Sequence, residues 1–365
     1  MPEPLARVET LALPQNGRTL VVSDIHGNLP YLKGLLELAN FSESDLLLVD
    51  GDFLEKGEDS LGTLRCLMAL SARGQCRALL GNCDGWHEIF DYSPEADAHV
   101  LDYIQKRRCG LLWEMLHDCG IDPLTLDALT PIKPLLRERF GAEFAYLASL
   151  PDAIESARAV FVHAGCRPDK PLCAHTAREL NHRDAFLREG FSFDRWVVVG
   201  HWPVMLYGEN IVSAAPILEQ GRHIASIDGG CVLKDDGQLN ALVLPGDGGE
   251  FECLAYDPFP LRRVETAQTG SARSYYIRWG DNEVEVLRRG AEFSLCRHRR
   301  TGYEMEILTK YLYDPGTVSR CNDCTDYVLP LSPGDEVRVV EETSRGYFVK
   351  HRGVSGWYYG ELTNS

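Results

Sequence analysis

Short apolar runs recur along the first two thirds of the chain, and a polar residue of a metal-binding type follows each run within three residues. The runs consist largely of Val and Leu and have glycines close to them, which predicts buried β-strands. Because ligand sites of open α/β sheets lie beyond the carboxyl ends of the strands, we expect the polar residues to converge on one edge. The runs are residues 19–22, 46–49, 78–80, 160–162 and 197–199.

The segment between the first two runs has the pattern of an amphipathic helix. Asn28 is a residue type that caps helix N-termini, and Pro30 suits the first helical turn. A helix here predicts a strand–helix–strand unit with parallel strands. Its apolar stripe consists of Leu32, Leu35, Leu36 and Ala39.

The apolar spacing becomes helical over about 86–150, with several prolines between the helical stretches. This predicts a helical insertion beside the strand ends. Further on, the Pro-Gly-Asp-Gly-Gly sequence at 245–249 and prolines at 258 and 260 indicate a boundary. We therefore expect an α/β domain over 1–260 and a separate β-rich region over 261–365.

Residues 261–365 show alternating apolar and polar positions between turn sequences, which predicts a small antiparallel barrel. The last forty residues, 326–365, resemble a bacterial SH3-like domain, through Leu-Ser-Pro-Gly-Asp at their start and Gly-Trp near their end. The aromatic residues of this stretch either line a peptide groove or fill the barrel core. They are Tyr347, Phe348, Trp357, Tyr358 and Tyr359.

The net charge of −17 comes from residues 1–260, because 261–365 hold 15 basic and 15 acidic residues. An acidic domain repels a phosphate backbone unless bound cations reverse the local sign, so nucleic-acid binding is not expected. With 44% hydrophobic and 25% charged residues the chain has a globular composition. No apolar run approaches the roughly 20 residues that span a bilayer, and no signal peptide is evident, so we expect a cytoplasmic protein without membrane contact.

Twelve cysteines are spread through apolar and helical segments, which is typical of reduced and mostly buried thiols. Cys321 and Cys324 stand apart as a CxxC pair. Together with Cys296 and His298 they are one candidate for a structural zinc site, and ordinary loop cysteines are the other interpretation.

The polar residues after the strands supply a mixed set of nitrogen and oxygen ligands. A carboxylate such as Asp52 has two oxygens and can bridge two cations. Such ligands, without a thiolate, suit Mn, Fe or Zn ions. Two ions about 3.5–4 Å apart activate a bridging water for attack on phosphorus, and no protein nucleophile is then needed. The candidate metal ligands are Asp24, His26, Asp52, Asn82, His163 and His201.

The order of these residues and of the glycines around them resembles the calcineurin-like metallophosphoesterase superfamily. The most similar branch is that of the phosphoprotein phosphatases, which also includes bacterial dinucleoside tetraphosphatases. The resemblance covers residues 19–245 and implies a two-sheet β-sandwich flanked by helices. It also implies that Asp24, His26 and Asp52 hold one divalent ion and that Asp52, Asn82, His163 and His201 hold the other. The matching blocks are residues 23–27, 51–57, 81–84, 163–165 and 200–201.

Two positions depart from the branch pattern. Glu55 and Lys56 replace an Asp-Arg pair, so Lys56 can neutralise phosphate but lacks the bidentate fork of arginine. We expect weaker phosphate binding, with Arg183 as a second phosphate ligand and Asn82 next to the phosphate. The alternative for Arg183 is an ordinary helix-surface charge.

The second departure is Cys83, which replaces the histidine thought to protonate the leaving group in that branch. A thiol with an ordinary pKa of about 8.5 is a poor substitute for an imidazolium. Asp84, a metal-bound water, His87 and His182 are the candidate proton donors, and for each histidine a surface or packing role is favoured over that of an acid. Asp52, Cys83 and Asp84 are therefore the predicted catalytic residues.

These residues predict a metal-dependent phosphoester hydrolase. A phosphomonoesterase acting on phosphoserine, phosphothreonine or phosphotyrosine ranks first, so the expected partner is a phosphorylated protein or a small phosphoester. A nucleotide or dinucleoside polyphosphate hydrolase ranks second and a phosphodiesterase third. A hypothesis of another class is a metal-binding scaffold with weak activity, recruited when its SH3-like tail binds a peptide or protein.

Overall fold

The computed structural model describes residues 3–313 and 318–364 and divides them into two units. The first unit contains the residues up to 203 together with 216–233 and 237–257. The second contains 204–215, 234–236 and the residues from 258 onward. The boundary expected at 260 thus lies near the division at 257, but the second unit also includes two earlier segments that the sequence pattern did not single out.

The strands of the first unit form two sheets. Five strands lie in the order β12-β11-β2-β3-β4 and six in the order β1-β5-β6-β7-β10-β9, while β8 belongs to the second unit. In chain order the strands are β1 (Val8–Thr10), β2 (Arg18–Val22), β3 (Leu46–Asp50), β4 (Cys76–Leu79), β5 (Ala153–Glu155), β6 (Ala159–Phe161), β7 (Trp196–Val199), β8 (Val212–Ser213), β9 (Ile217–Glu219), β10 (Ile224–Ser226), β11 (Leu239–Pro245) and β12 (Glu252–Tyr256).

The two sheets pack face to face through a shared apolar core. Val21 and Leu48 of the first sheet lie in one buried cluster with Phe161 and Val198 of the second. β2, β3 and β4 run parallel, as do β6, β7 and β10, so both sheets present carboxyl strand ends. The prediction of a single sheet edge for all ligands was therefore wrong, because the five predicted strands belong to two sheets.

Helices cover the outer face of the five-stranded sheet. Leu32 and Leu35 of the first helix are fully buried in that core. Asn28 precedes this helix but its side chain makes no capping bond, whereas the Asp59 carboxylate accepts from Gly62 N and caps the second helix. The α-helices are α1 (Leu29–Leu38), α2 (Ser60–Ala72), α3 (Pro94–Arg107), α4 (Leu111–Asp118), α5 (Lys133–Arg139), α6 (Gly141–Ser149) and α7 (Ala177–Asn181).

Between β4 and β5 the chain is mostly helical, over the range expected for the insertion. We call residues 86–150 the insertion. Its α4 packs against α2, and its α6 packs against α2 and the 3₁₀ helix at Trp86–Asp91. Further 3₁₀ helices are Pro123–Thr125, Thr130–Ile132, Leu172–Ala174, Phe186–Glu189, Val204–Tyr207 and Thr309–Tyr311.

The second unit is built from β-strands. Its largest sheet has the order β24-β13-β21-β22-β23-β8, so strands from outside 326–365 contribute to it. An SH3-like identity for 326–365 stays a prediction. The remaining strands are β13 (Leu261–Val264), β14 (Tyr276–Ile277), β15 (Glu283–Arg288), β16 (Phe293–His298), β17 (Glu304–Leu308), β18 (Leu312–Tyr313), β19 (Val318–Cys321), β20 (Cys324–Thr325), β21 (Glu336–Thr343), β22 (Gly346–His351), β23 (Val354–Tyr358) and β24 (Leu362–Asn364).

Most of the tail aromatics fill cores of this unit. Phe348 and Trp357 lie in one apolar cluster and Tyr358 in another, with Tyr347 partly buried beside it. Tyr359 is 54% exposed and stacks on the Trp357 ring. A core role therefore accounts for these aromatics better than a continuous peptide groove.

The CxxC pair lies inside the second unit, with the Cys321 and Cys324 sulfurs 4.0 Å apart. His298 faces elsewhere, because its ring nitrogens contact Thr301 Oγ1 at 2.8 Å and the Asp281 carbonyl oxygen at 3.0 Å. The structure thus does not bring His298 to the cysteines, which leaves the four-ligand zinc prediction without its nitrogen ligand. In the described part of the chain, no helix has the length and apolar character to cross a bilayer.

Candidate metal centre

The six predicted ligands lie at the carboxyl ends of strands from both sheets. Asp24 and His26 follow β2, Asp52 follows β3 and Asn82 follows β4. His163 and His201 follow β6 and β7 of the other sheet. Since the sheets pack face to face, the two sets of strand ends meet at one end of the sandwich.

Four of these residues have left-handed backbone. Their φ angles are 54° at Asp24, 50° at His26, 51° at Asp52 and 65° at His201. This conformation is uncommon for residues with a Cβ and costs on the order of 1–3 kcal/mol each, so the surrounding contacts must hold it. Hydrogen bonds do so: Asp24 N donates to Gly51 O at 3.0 Å and His26 N to Asp52 O at 2.9 Å.

Asp24, His26 and one oxygen of Asp52 form the first ligand group. His26 Nε2 lies 3.7 Å from Asp24 Oδ1 and 3.9 Å from Asp52 Oδ2. The other Asp24 oxygen, Oδ2, accepts from Ser23 Oγ at 2.6 Å and from His201 N at 2.9 Å. Asp24 therefore keeps Oδ1 directed toward His26.

The second oxygen of Asp52 belongs to a separate ligand group. Asp52 Oδ1 lies 3.4 Å from His163 Nε2. Asn82 Oδ1 lies 3.2 Å from His163 Nε2 and 2.8 Å from His201 Nδ1. Asp52 thus faces one group with each carboxylate oxygen, which is the arrangement of a bridging ligand.

These donor groups fit divalent ions. Two nitrogen or oxygen atoms that each lie about 2.0–2.2 Å from one ion are roughly 3–4 Å apart, and the observed separations match this spacing. The donors are also buried: Asp24, His26, Asp52 and His163 are at most 2% exposed. Burial, together with the nearby Asp228 carboxylate, raises the pKa of Asp24 well above its usual range. Cations at the site would relieve that unfavourable charge.

Each histidine ring is oriented by a contact of the ring nitrogen that does not face the ligand group. His26 Nδ1 lies 3.2 Å from Leu54 O, and His163 Nδ1 lies 2.9 Å from Asp50 O. A carbonyl oxygen only accepts, so both Nδ1 atoms donate and both Nε2 atoms carry the lone pair that can bind a cation. His201 is turned the other way, with Nε2 3.4 Å from Asp184 Oδ1. Such outer contacts are typical of metal-binding histidines.

Asp84, a predicted catalytic residue, holds the ligand loops together. Its carboxylate accepts from the backbone nitrogens of Asp52 at 2.7 Å, Gly81 at 2.8 Å and Leu54 at 3.1 Å. The side chain is fully buried. With three backbone donors on it, Asp84 acts as a clamp between the loops after β3 and β4, and the expectation that it delivers a proton to the leaving group has no support in this geometry.

Cys83 lies at the edge of both ligand groups. Its backbone N donates to Asp52 Oδ1 at 2.8 Å, and Asn82 Nδ2 lies 3.3 Å from its sulfur. A ligand atom of Cys83 also lies within 4.8 Å of those of His26 and Asp52. Burial and the Asp52 carboxylate raise the pKa of the Cys83 thiol. The thiol therefore lies beside the ligand groups, and its raised pKa makes it a weaker acid than an imidazolium.

Lys56 reaches the first ligand group. Its Nζ lies 3.3 Å from His26 Nε2. Arg183 is engaged elsewhere, because its Nη1 donates to both Glu189 carboxylate oxygens at 2.9 Å. Lys56 is thus the predicted phosphate ligand that the structure brings to the metal centre, while the Nη1 of Arg183 is paired with Glu189.

The remaining proton-donor candidates differ in position. The His182 ring lies 6.5 Å from that of His201, between ring centroids. His87 and His182 both line an open cleft of about 530 Å³ beside Gly81 and Asn82. Burial lowers the pKa of both histidines. Both rings therefore border the cleft that opens beside Asn82.

Asp228 is a site residue that the strand pattern did not single out. It is fully buried, and its Oδ1 accepts from Gly230 N at 2.8 Å. Its other oxygen, Oδ2, has no hydrogen-bond partner in the described residues. Burial raises its pKa to about 6. The signal was present in the sequence, because Asp228 follows the apolar residues of β10 just as the other ligands follow theirs.

Residues 17–221 match a family model described as calcineurin-like phosphoesterase. A symmetrical bis(5'-nucleosyl)-tetraphosphatase from Edwardsiella ictaluri is 40% identical over 67 residues, which is 18% of this chain and 23% of that protein. The matched stretch thus covers under a quarter of that relative.

Solved structures to which this chain is similar include a metallophosphoesterase from Sphaerobacter thermophilus, at 18% identity and a TM-score of 0.37 over 66% of this chain and 88% of that one. Another is a protein serine/threonine phosphatase from Saccharomyces cerevisiae, at 13% identity and a TM-score of 0.41 over 70% of this chain and 84% of that one.

Proposed function

The chain belongs to the calcineurin-like phosphoesterase family, and on that premise we propose that it hydrolyses phosphoesters with two divalent ions held at the metal centre. The observation that carries the proposal is Asp52, whose two oxygens face separate ligand groups. Two ions bound in this way lower the pKa of water and bind phosphoryl oxygens. The donor types suit Mn, Fe or Zn ions.

The leaving group decides between substrate classes. Cys83 stands at the edge of the site, and a thiol is a weaker acid than an imidazolium, with ordinary pKa values of about 8.5 and 6.5. Phosphoserine releases a strongly basic alkoxide that needs a proton. A phosphoanhydride instead releases a phosphate group, which is stable as an anion near neutral pH because its second pKa is about 6. We therefore propose a phosphoanhydride of the dinucleoside polyphosphate class as the preferred substrate.

Two further observations support this class. The relatives named as symmetrical bis(5'-nucleosyl)-tetraphosphatases act, by their names, on such compounds. The cleft beside Asn82 offers about 530 Å³, which is enough for part of a nucleotide next to the ligand groups. Arg178 lies along this cleft and is exposed, so a cationic side chain is available to the charged substrate.

A protein phosphomonoesterase is the second candidate. Glu55 and Lys56 preserve a carboxylate and a cation at the place where the phosphoprotein phosphatase branch has both, and Lys56 reaches the first ligand group. Within this candidate phosphotyrosine is favoured over phosphoserine, because a phenolate with a pKa of about 10 leaves more easily than an alkoxide.

A substrate panel tests the proposal. The Mn²⁺-treated protein is assayed with diadenosine tetraphosphate, p-nitrophenyl phosphate, bis-p-nitrophenyl phosphate and a phosphoserine peptide. We expect kcat/KM to be highest for the tetraphosphate and lowest for the phosphoserine peptide. Faster turnover of the peptide would overturn the leaving-group argument, and preference for the diester would favour a phosphodiesterase.

If none of these compounds is hydrolysed, the hypothesis that remains is a metal-binding scaffold with weak activity. We keep as proposals that the second unit binds a peptide or protein partner and that the protein works in the cytoplasm. Binding of a peptide library to the full-length chain tests the first of these.

A further inference from the structure

We propose that the insertion fixes Lys56 for contact with the substrate phosphate, through two positioning residues, Glu55 and Glu114. The inference rests on the proposed function, because it assigns Lys56 to a bound phosphate. It goes further in giving the insertion a task in substrate binding. Neither glutamate touches the substrate in this proposal, and both act through the backbone on either side of Lys56.

The backbone at Lys56 requires outside support. Glu55 and Lys56 have successive φ angles of 66° and 68°, in the left-handed region. A pair of non-glycine residues in this conformation persists only where surrounding contacts determine it. A lysine also lacks the rigid fork of arginine, so the direction of its ammonium depends strongly on where its backbone is held.

Glu55 provides the first connection to the insertion. Its Oε1 accepts from Leu111 N at 2.9 Å and its Oε2 accepts from Tyr103 Oη at 3.1 Å. Gly110 allows this approach, because a Cβ there would overlap the Glu55 carboxylate. The side chain is 3% exposed. A buried carboxylate with these two donors fixes the loop against α3 and the start of α4.

Glu114 provides the second connection, and here the side chain comes from the insertion and reaches the start of α2. From α4 its Oε1 accepts from Ser60 N at 2.8 Å and its Oε2 from Leu61 N at 2.7 Å. These are the first residues of α2, where backbone N–H groups lack partners within the helix. Ser60 Oγ in turn accepts from Glu55 N at 3.0 Å. The loop that carries Lys56 is thus held by the insertion at both of its ends.

The other side of the loop contacts the first ligand group. Gly27 N donates to Phe53 O at 2.8 Å, and Asp59 N donates to Gly27 O at 2.9 Å. Gly57 has no room for a Cβ, which would overlap His26 O. The loop therefore lies between the insertion and the ligand loop after β2, and this position places Lys56 Nζ 3.3 Å from His26 Nε2.

Phosphate binding by the metal-loaded protein tests the proposal without any need for turnover. The inhibition constant or direct affinity for inorganic phosphate is measured for Glu114→Ala and Gly110→Ala, with the metal content of each. We expect phosphate to bind roughly tenfold more weakly in both variants at unchanged metal content, because a displaced binding group loses its interaction. Glu114→Gln, which keeps one acceptor, should recover part of the affinity. Glu58→Gln removes an exposed charge from the same loop and should bind phosphate like the wild type.

A double-mutant cycle identifies Lys56 as the group that is positioned. If Glu114 acts through Lys56, Glu114→Ala should not weaken phosphate binding further in a Lys56→Ala background. Equal weakening in both backgrounds, or loss of metal from Glu114→Ala, would overturn the proposal. Absence of hydrolysis by every variant and by the wild type would refute the proposed function alone, since the phosphate affinities are compared independently of it.

Discussion

The two units of the chain differ in where they use left-handed backbone. In the described residues, eleven non-glycine residues of the first unit have positive φ, against one, Arg352, in the second. Six of the eleven belong to the metal centre or to the loop that carries Lys56. They are Asp24, His26, Asp52, Glu55, Lys56 and His201. Strained backbone therefore concentrates where side chains have to meet in a fixed geometry, as expected of a functional site.

Partly buried carboxylates of the second unit have hydrogen-bond donors that contrast with the surroundings of the buried carboxylates at the metal centre. In the second unit Asp323 accepts from Lys234 Nζ and from Tyr276 Oη, and Asp326 accepts from Tyr275 N and Tyr303 Oη. In the first, Asp24, Asp52 and Asp228 are buried in one cluster, and Asp228 keeps an oxygen without a hydrogen-bond partner in the described residues. Asp323 and Asp326 thus have donors within their own unit, whereas Asp24, Asp52 and Asp228 lie close together and create a site for cations.

The largest effect should follow from Asp52→Asn. The change removes the bridging charge while preserving side-chain size, so the metal content should fall below two ions per chain. We expect kcat/KM to drop by more than about 100-fold. Mutation of a residue that only supports a metal ligand already lowers metal affinity or activity by roughly 10–100-fold, and Asp52 is itself a ligand in this account. Elemental analysis and initial rates check both. A rate within about threefold of wild type would mean that Asp52 does not bridge two ions.

A matched pair of acids compares the units directly. Asp84→Asn and Asp326→Asn each weaken hydrogen bonds to a carboxylate that organises loops, and each should lower the free energy of unfolding by about 1–3 kcal/mol. Only Asp84→Asn should also reduce activity, by roughly tenfold or more, because its partners are ligand-loop amides. Urea unfolding and assays under the same metal conditions measure this. An equal loss of activity in both variants would contradict the view that Asp84 supports the metal centre while Asp326 only stabilises the second unit.

Cys83→His tests the leaving-group argument. An imidazole at this position supplies an acid, so turnover of a phosphoserine peptide should rise, by about tenfold or more if a general acid forms. Hydrolysis of p-nitrophenyl phosphate and of diadenosine tetraphosphate should change little, since their leaving groups need no proton. A uniform rise or fall for all three substrates would show that residue 83 does not act on the leaving group.

The smallest effect should come from the second unit. Cys321→Ser removes one thiol of the buried CxxC pair, and we expect metal content and kcat/KM of the first unit to stay within about twofold of wild type. Stability should fall only modestly, since the change replaces a buried thiol by a hydroxyl of similar size. Loss of one zinc equivalent from this variant would instead revive the zinc interpretation.

The sequence was sufficient for five of the ligands because each of them lies within three residues after a run of buried-strand residues. Asp24, Asp52, Asn82, His163 and His201 were found in this way, and the structure brings them together with His26. Their division between two sheets was not predictable from the runs themselves, because apolar content shows burial but not which sheet a strand joins.

Other site features depend on contacts between distant segments. Nothing in the local sequence indicates that Asp84 accepts three backbone amides, that Arg183 pairs with Glu189, or that Glu114 caps α2 from 53 and 54 residues away. The left-handed backbone at Lys56 was equally hidden, since lysine does not favour it. The same holds for β8, which pairs with β23, a strand more than a hundred residues later in the chain.

The most direct test of the two-ion centre is a crystal structure of the Mn²⁺-treated protein with anomalous scattering data. We expect two anomalous peaks about 3.5–4 Å apart, one on each side of the Asp52 carboxylate. The first should contact Asp24 and His26, and the second Asn82, His163 and His201. A single peak, or two peaks that do not share Asp52, would contradict the account.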